Sequence, residues 1–117
     1  MAWTEAEYQA YLLRQGKAPD TPEATLVGQI RQVALANGFL YYHTYDSRKS
    51  DLGFVDIVCC KPWHPLYLWE VKSATGKLSE EQERWLQFLS QATGIVSGLI
   101  RPRDFPEVAA LLTRRTP

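Results

Sequence analysis

A mixed α/β (α+β) fold is expected, with a mixed central sheet of about four strands flanked by helices, because three features of the sequence agree. Phe54 to Cys60 and Leu66 to Val71 are apolar runs rich in β-branched and aromatic residues, and both are too short for ordinary helices. The KPWHP segment between them carries two prolines and punctuates a turn, so the pair reads as a β-hairpin. Helix start and stop signals stand on both sides of this hairpin. The predicted order is α-α-β-β-β-α-β-α.

The first helix opens at Thr4-Glu5-Ala6-Glu7, a capping box with Thr4 at the N-cap and Glu7 at N3, and runs to about Gln15. Tyr8, Tyr11 and Leu12 share one face, and Trp3 stands ready to pack beside them. Gly16 stops the helix and KAPD links it onward. Residues 1–20 therefore read as an accessory helix and linker, and residues 21–117 as the main domain. Thr21 then supplies an N-cap, Pro22 the N1 position and Glu23 a first-turn acid. The second helix continues through Leu26, Ile30, Val33 and Leu35 to the Asn37-Gly38 stop. Glu23 falls on the stripe of Leu26, Ile30 and Val33 that faces the core, although the same residue also suits the positive end of the helix dipole.

Phe39 to Tyr45 is the next strand, followed by the polar loop HTYDSRKSDLG that leads into the hairpin. After the hairpin, SATGKL is a loop, and Ser79-Glu80-Glu81-Gln82 is another capping box. Trp85, Leu86 and Leu89 mark the buried stripe of the helix it opens. Gln82 either caps this helix or points inward towards the sheet. Gly94 ends the helix, Ile95 to Arg101 forms the last strand, and Pro102-Arg103-Asp104 leads to a short helix through Leu112. Asp104 and Glu107 are its expected capping pair, and the RRTP tail is expected to fray.

Composition sets the outer bounds. A chain of 117 residues is one domain, large enough for a core but not for two. A formal net charge of zero argues against a purely electrostatic nucleic-acid binder, while leaving room for a site whose metal and local lysines carry the positive field. Cys59 and Cys60 are adjacent in a strand and point to opposite faces, so they cannot bridge each other. No other cysteine is present to complete a metal cluster. There is no apolar run of about 18 residues and no signal-peptide pattern, so a cytoplasmic protein without membrane association is expected.

The chemistry gathers between Gly53 and Gln82. A hairpin symmetric about Trp63 puts Asp56 opposite Glu70 on one face, with Cβ atoms only about 4.5–5.5 Å apart. Two carboxylates that close repel unless they are protonated or bridged by a cation. A one-residue slip would send them to opposite faces, so everything hangs on the register. Lys72, two residues beyond Glu70, leaves the same face of the strand. An acid pair that holds a hard divalent cation beside an ammonium suits attack of water on a phosphodiester. Arg48 and Lys49, with Ser47 beside them and Lys77 on the following loop, are positioned as phosphate contacts. His43 reads either as a hydrogen-bonded structural residue or as a further DNA contact.

Taken together, the segments YHTYDSRKSDLGFVD, LWEVKSATGKLSEEQERWLQFL and IRPRDFPEV resemble the VRR-NUC family, a branch of the PD-(D/E)XK nuclease superfamily. The combination of GF-x-D, E-x-K, a Gly-containing loop and L-S-x-E-Q at these spacings carries the resemblance, which extends from Thr21 to Leu112. It implies a restriction-endonuclease-like core. It also implies a catalytic set of Glu23, Asp56, Glu70, Lys72 and Gln82, with Asp56, Glu70 and the Val71 carbonyl as ligands of Mg²⁺ or Mn²⁺. Val55 stands where the superfamily motif usually has proline, a difference of backbone shape and not of chemistry.

The activity implied is metal-dependent DNA endonuclease cleavage, of branched DNA or Holliday junctions, by a homodimer in a bacterial or phage-infected cell. The competing class is a DNA-binding or assembly module that keeps the fold without catalysis. The intact acid–acid–lysine set favours the enzyme.

Overall fold

The structure is a computed structural model that describes residues 22–44 and 51–114. Four strands, β1 (Leu40–His43), β2 (Ile57–Cys60), β3 (Leu66–Val71) and β4 (Ile95–Ile100), lie side by side in chain order. The pairs β1–β2 and β2–β3 are antiparallel, and β3 pairs with β4 in parallel. A parallel pair needs a crossover, which α2 (Glu80–Leu89) provides. Two further helices, α1 (Glu23–Ala36) and α3 (Phe105–Thr113), complete the described fold. The mixed sheet flanked by helices is the expected architecture. The accessory helix at Thr4 to Gln15 and the Thr21 cap lie outside the described residues.

The core sits on one face of the sheet only. Leu26, Ile30, Val33 and Ala34 of α1 meet Phe105, Val108, Ala109 and Leu112 of α3 over Ile57, Cys59, Trp69, Val71 and Ile100. Tyr67 stacks on Trp69 with ring centroids 4.9 Å apart. Each fully buried apolar side chain of this kind contributes about 1.5–3 kcal/mol, so this layer holds the domain together. By contrast, α2 has no fully buried residue. Trp85, Leu86 and Leu89 are only half-buried, so the stripe read from their spacing is shallower than expected.

The hairpin has the expected register, with Ile57 opposite Trp69, Val58 opposite Leu68 and Cys59 opposite Tyr67. Pro62 and Trp63 form its tip, where His64 N–H donates to the Lys61 carbonyl at 3.2 Å and Trp63 takes φ +69°. Proline followed by a positive φ is the geometry of a type II turn, here with tryptophan where glycine is usual. Cys59 is buried and Cys60 exposed, as their alternation requires. Burial pushes the Cys59 thiol up to about 12, which leaves it inert.

Several boundaries differ from expectation. Pro22 is the N-cap of α1 and not its N1 residue, and no side chain caps that end. Strand β2 starts at Ile57, three residues later than the apolar run suggested, because Asp56 interrupts the ladder. Its N–H donates to the Trp69 carbonyl at 3.1 Å, and the next rung is made by its side chain. Strand β1 is likewise shorter than Phe39 to Tyr45. Asp104 does not cap α3. A 3₁₀ turn, Pro102–Asp104, precedes that helix and puts Asp104 in helical conformation, so its Oδ2 reaches back to accept from Arg101 N–H at 2.9 Å.

Candidate active site

Trp69 and Val71 face the core, so Glu70 between them points to the opposite face, beneath the start of α2. That face is otherwise thinly covered, yet Glu70 is only 1% exposed. Its Oε2 accepts from Gln82 Nε2 at 3.2 Å, while its Oε1 is buried without a hydrogen-bond partner. Asp56 reaches the same point from the neighbouring strand, held there because Val71 N–H donates to its Oδ2 at 2.9 Å. Thr44 braces this approach from β1's end: its N–H donates to the Asp56 carbonyl at 2.9 Å and its Oγ1 to the Val55 carbonyl at 3.1 Å.

The electrostatics follow from this geometry. Glu70 is pushed up to about 9, first by burial, then by the hydrogen bond and negative charge of Asp56, with a smaller push from Glu23; the Lys72 ammonium opposes them. Glu70 is therefore held in its protonated form at neutral pH when nothing else is bound beside it.

A stability prediction follows. The unfolded glutamate titrates at its ordinary 4.5, so between that pH and about 9 the folded protein holds more protons than the unfolded chain. Folding stability then decreases as pH rises through this window. Calorimetry in EDTA should show a falling melting temperature from pH 5 to pH 9, flattened in Glu70→Gln. A rising curve would remove the case for a protonated Glu70.

Gln82 resolves its two readings by doing both. Its Oε1 accepts from Ser79 N–H at 2.9 Å, completing the capping box with Ser79 Oγ, which accepts from Gln82 N–H at 3.2 Å. With the amide oxygen committed to that donor, the amide nitrogen must face Glu70. Lys72 is half-buried and lines the same cavity of about 390 Å³, together with Asp56, Glu70 and Gln82. Glu23 stands at its rim, exposed and not on the buried stripe of α1, because the first helical turn overhangs the core.

The remaining sequence candidates are spread more widely. His43, at the end of β1, lines a separate hollow with Glu23, Val27 and Arg31. Lys77 is exposed on the loop before α2 and is not part of the cavity wall. Ser47, Arg48 and Lys49 lie outside the described residues. Val71 closes β3, its amide taken by Asp56 and its side chain in the core. Among the described residues no group of three His, Cys, Asp or Glu side chains converges on one point. Thr44 and Arg101 were not foreseen. Arg101 Nη1 donates to the Ser73 carbonyl at 2.7 Å and to the Ala74 carbonyl at 3.3 Å, bracing the loop that follows Lys72. Neither role leaves a local signal, since each depends on which strands become neighbours.

A four-stranded mixed sheet flanked by helices is the architecture of a restriction-endonuclease-like core. The VRR-NUC domain family matches residues 2–101, and the chain belongs to that family. The match begins ahead of α1 and stops before α3. No curated protein and no solved structure matches the chain.

Proposed function

We propose that this VRR-NUC domain is a metal-dependent DNA endonuclease, with Asp56 and Glu70 as its metal-binding carboxylates. The observation that carries the reading is the buried, unpartnered Glu70 Oε1 beside a second carboxylate. A buried polar atom left without a partner costs about 1–3 kcal/mol, and more when charged, so a fold that keeps one has a use for it. Two anionic oxygens facing one another fit a hard divalent cation, Mg²⁺ or Mn²⁺, with the Val71 carbonyl available as a further oxygen ligand. Such an ion supplies charge neutralisation of the phosphate and a more acidic attacking water.

The chain's own residues have separate tasks in this reading. Asp56 and Glu70 bind and orient, each fixed by a partner: the Val71 amide for one, the Gln82 amide for the other. Lys72, on the face of Glu70, orients the attacking water or offsets charge that develops on the phosphate. Glu23 at the rim is placed to take a proton from the water or to hold it in line. Lys77, His43 and the Ser47-Arg48-Lys49 run are the proposed contacts to flanking phosphates.

Branched DNA, including Holliday junctions, is the proposed substrate, and a homodimer the proposed assembly. A junction needs two cuts and one domain offers one centre. Tyr42 and Trp63 are exposed aromatics available at a subunit contact. Among the described residues no helix is long and apolar enough to cross a membrane.

The test is cleavage of four-way, flapped and linear DNA with Mg²⁺, Mn²⁺ or EDTA, with light scattering on the same preparation. Cleavage that needs a divalent ion and favours branched substrates is expected. Tight binding in EDTA without cleavage under any condition would instead make the domain a DNA-binding module. A monomeric mass at micromolar concentration would remove the dimer.

A further inference from the structure

Resting on the metal-centre reading above, we infer that Trp85 is a positioning residue. It latches the arm that delivers Asp56 to the helix that delivers Gln82, and so sets the width of the acidic cavity. The arm, Leu52 to Asp56, belongs to no strand. Its far end is tied to the sheet, where Asp56 donates to Trp69 and accepts from Thr44. Its near end is tied to α2, one residue after another.

Leu52 gives its carbonyl to Trp85 Nε1–H at 3.2 Å. Gly53, at φ +85°, lies so close to α2 that a Cβ there would stand 2.5 Å from the Glu81 carbonyl carbon and 2.7 Å from its oxygen. Phe54 meets the Trp85 ring edge to face, with centroids 5.1 Å apart and planes at 83°. Glu81 and Trp85 are one helical turn apart on the same face of α2, and Gln82 lies between them in sequence. The arm therefore presses on the turn that carries Gln82.

The latch is not core packing. Leu52 is 68% exposed, and α2 contributes no fully buried residue. Nor would any aromatic residue serve equally. The contact needs a ring for Phe54 and, on the same side chain, a donor for a backbone carbonyl; indole offers both. With Leu52, Gly53 and Phe54 forming one wall of the cavity and Glu81 and Gln82 the other, loosening the latch lets the walls part.

Trp85→Phe keeps the ring and removes the donor, while Gly53→Ala wedges the two backbones apart. Both variants are to be compared with wild type by thermal unfolding, amide exchange of residues 51–56, calorimetric titration with Mn²⁺ alone, and cleavage kinetics. The expected result for Trp85→Phe is a melting temperature close to wild type with faster exchange confined to the 51–56 segment. Mn²⁺ binding should weaken about tenfold and kcat fall about tenfold at constant KM, the scale of losing a group that orients a ligand. Gly53→Ala should reproduce the faster 51–56 exchange and the weaker Mn²⁺ binding, with a lowered melting temperature from the strain of a Cβ at φ +85° against the Glu81 backbone.

Wild-type exchange and Mn²⁺ affinity in Trp85→Phe would overturn the latch. So would a general loss of protection with a lowered melting temperature, which marks a merely structural tryptophan. If wild type cuts no DNA or takes up no Mn²⁺, the nuclease reading fails separately, and exchange of the 51–56 segment still decides the latch.

Discussion

Glu70→Ala is expected to lower kcat/KM for DNA cleavage by at least about 10³-fold, the equivalent of several kcal/mol of transition-state stabilisation, without unfolding the domain. Glu70 is proposed as a metal ligand, and the loss of its carboxylate leaves Asp56 alone to hold a cation. The fold does not depend on that carboxylate. Glu70 faces away from the layer in which α1, α3 and the sheet bury their apolar residues. Its burial and its neighbour Asp56 push its titration up to about 9, so the apo protein holds it protonated at neutral pH and loses stability as rising pH makes that proton harder to keep. Glu70→Gln should therefore melt at or above the wild-type temperature in EDTA at pH 8, while losing cleavage and Mn²⁺ binding together. Asp56→Ala should lose both as well. Its stability should drop somewhat, because the Val71 amide loses the Oδ2 that it now donates to. Equal cutting by wild type and Glu70→Ala would sink the mechanism.

Lys72→Met is expected to separate catalysis from metal binding. Its loss should reduce kcat by about 10²–10³-fold, the usual cost of removing one group that stabilises developing charge. Mn²⁺ affinity should stay the same or improve, because a positive charge near the carboxylates has been removed and a methionine of similar length keeps the half-buried stem packed. The carboxylate pair also loses the ammonium that opposes the upward push on Glu70, so Lys72→Met should titrate Glu70 still higher. Lys72→Arg should not restore the rate, since a planar guanidinium cannot occupy the place of a compact ammonium. Single-turnover kinetics beside calorimetric Mn²⁺ titration reads both quantities. Weakened Mn²⁺ binding with a normal single-turnover rate would move Lys72 from the chemistry to the binding of metal.

Much of the architecture was legible because short-range rules govern it. The Pro-bounded tip at residues 61–65 set the hairpin's symmetry, and the register followed from it. Ser79 and Gln82 announced the start of α2, and both hydrogen bonds of their capping box are present. Where the reading failed, a local rule met a competing long-range contact. The Phe54 to Cys60 run is β-prone throughout, yet Asp56 spends its carboxylate on the Val71 amide and the ladder ends there. The Asp104–Glu107 pair looks like a helix cap, but the preceding 3₁₀ turn leaves Asp104 facing backwards. Trp85 reads as a core residue by spacing and is instead half-exposed, engaged with Leu52 and Phe54.

The acids, the lysine and their order along the strands are matters of period and turn chemistry, and a two-residue repeat is enough to put Glu70 and Lys72 on one side. The properties of those groups are not. Whether Glu70 is buried depends on α2 crossing above it, and α2 crosses there because β3 and β4 pair in parallel and the connection must return over one face. Whether Gln82 caps a helix or orients an acid depends on the distance between that helix and the sheet, and at this distance it does both. Spacing along the chain names which residues can meet. The packing of distant segments sets how near they come, how much water they keep, and so what charge they carry.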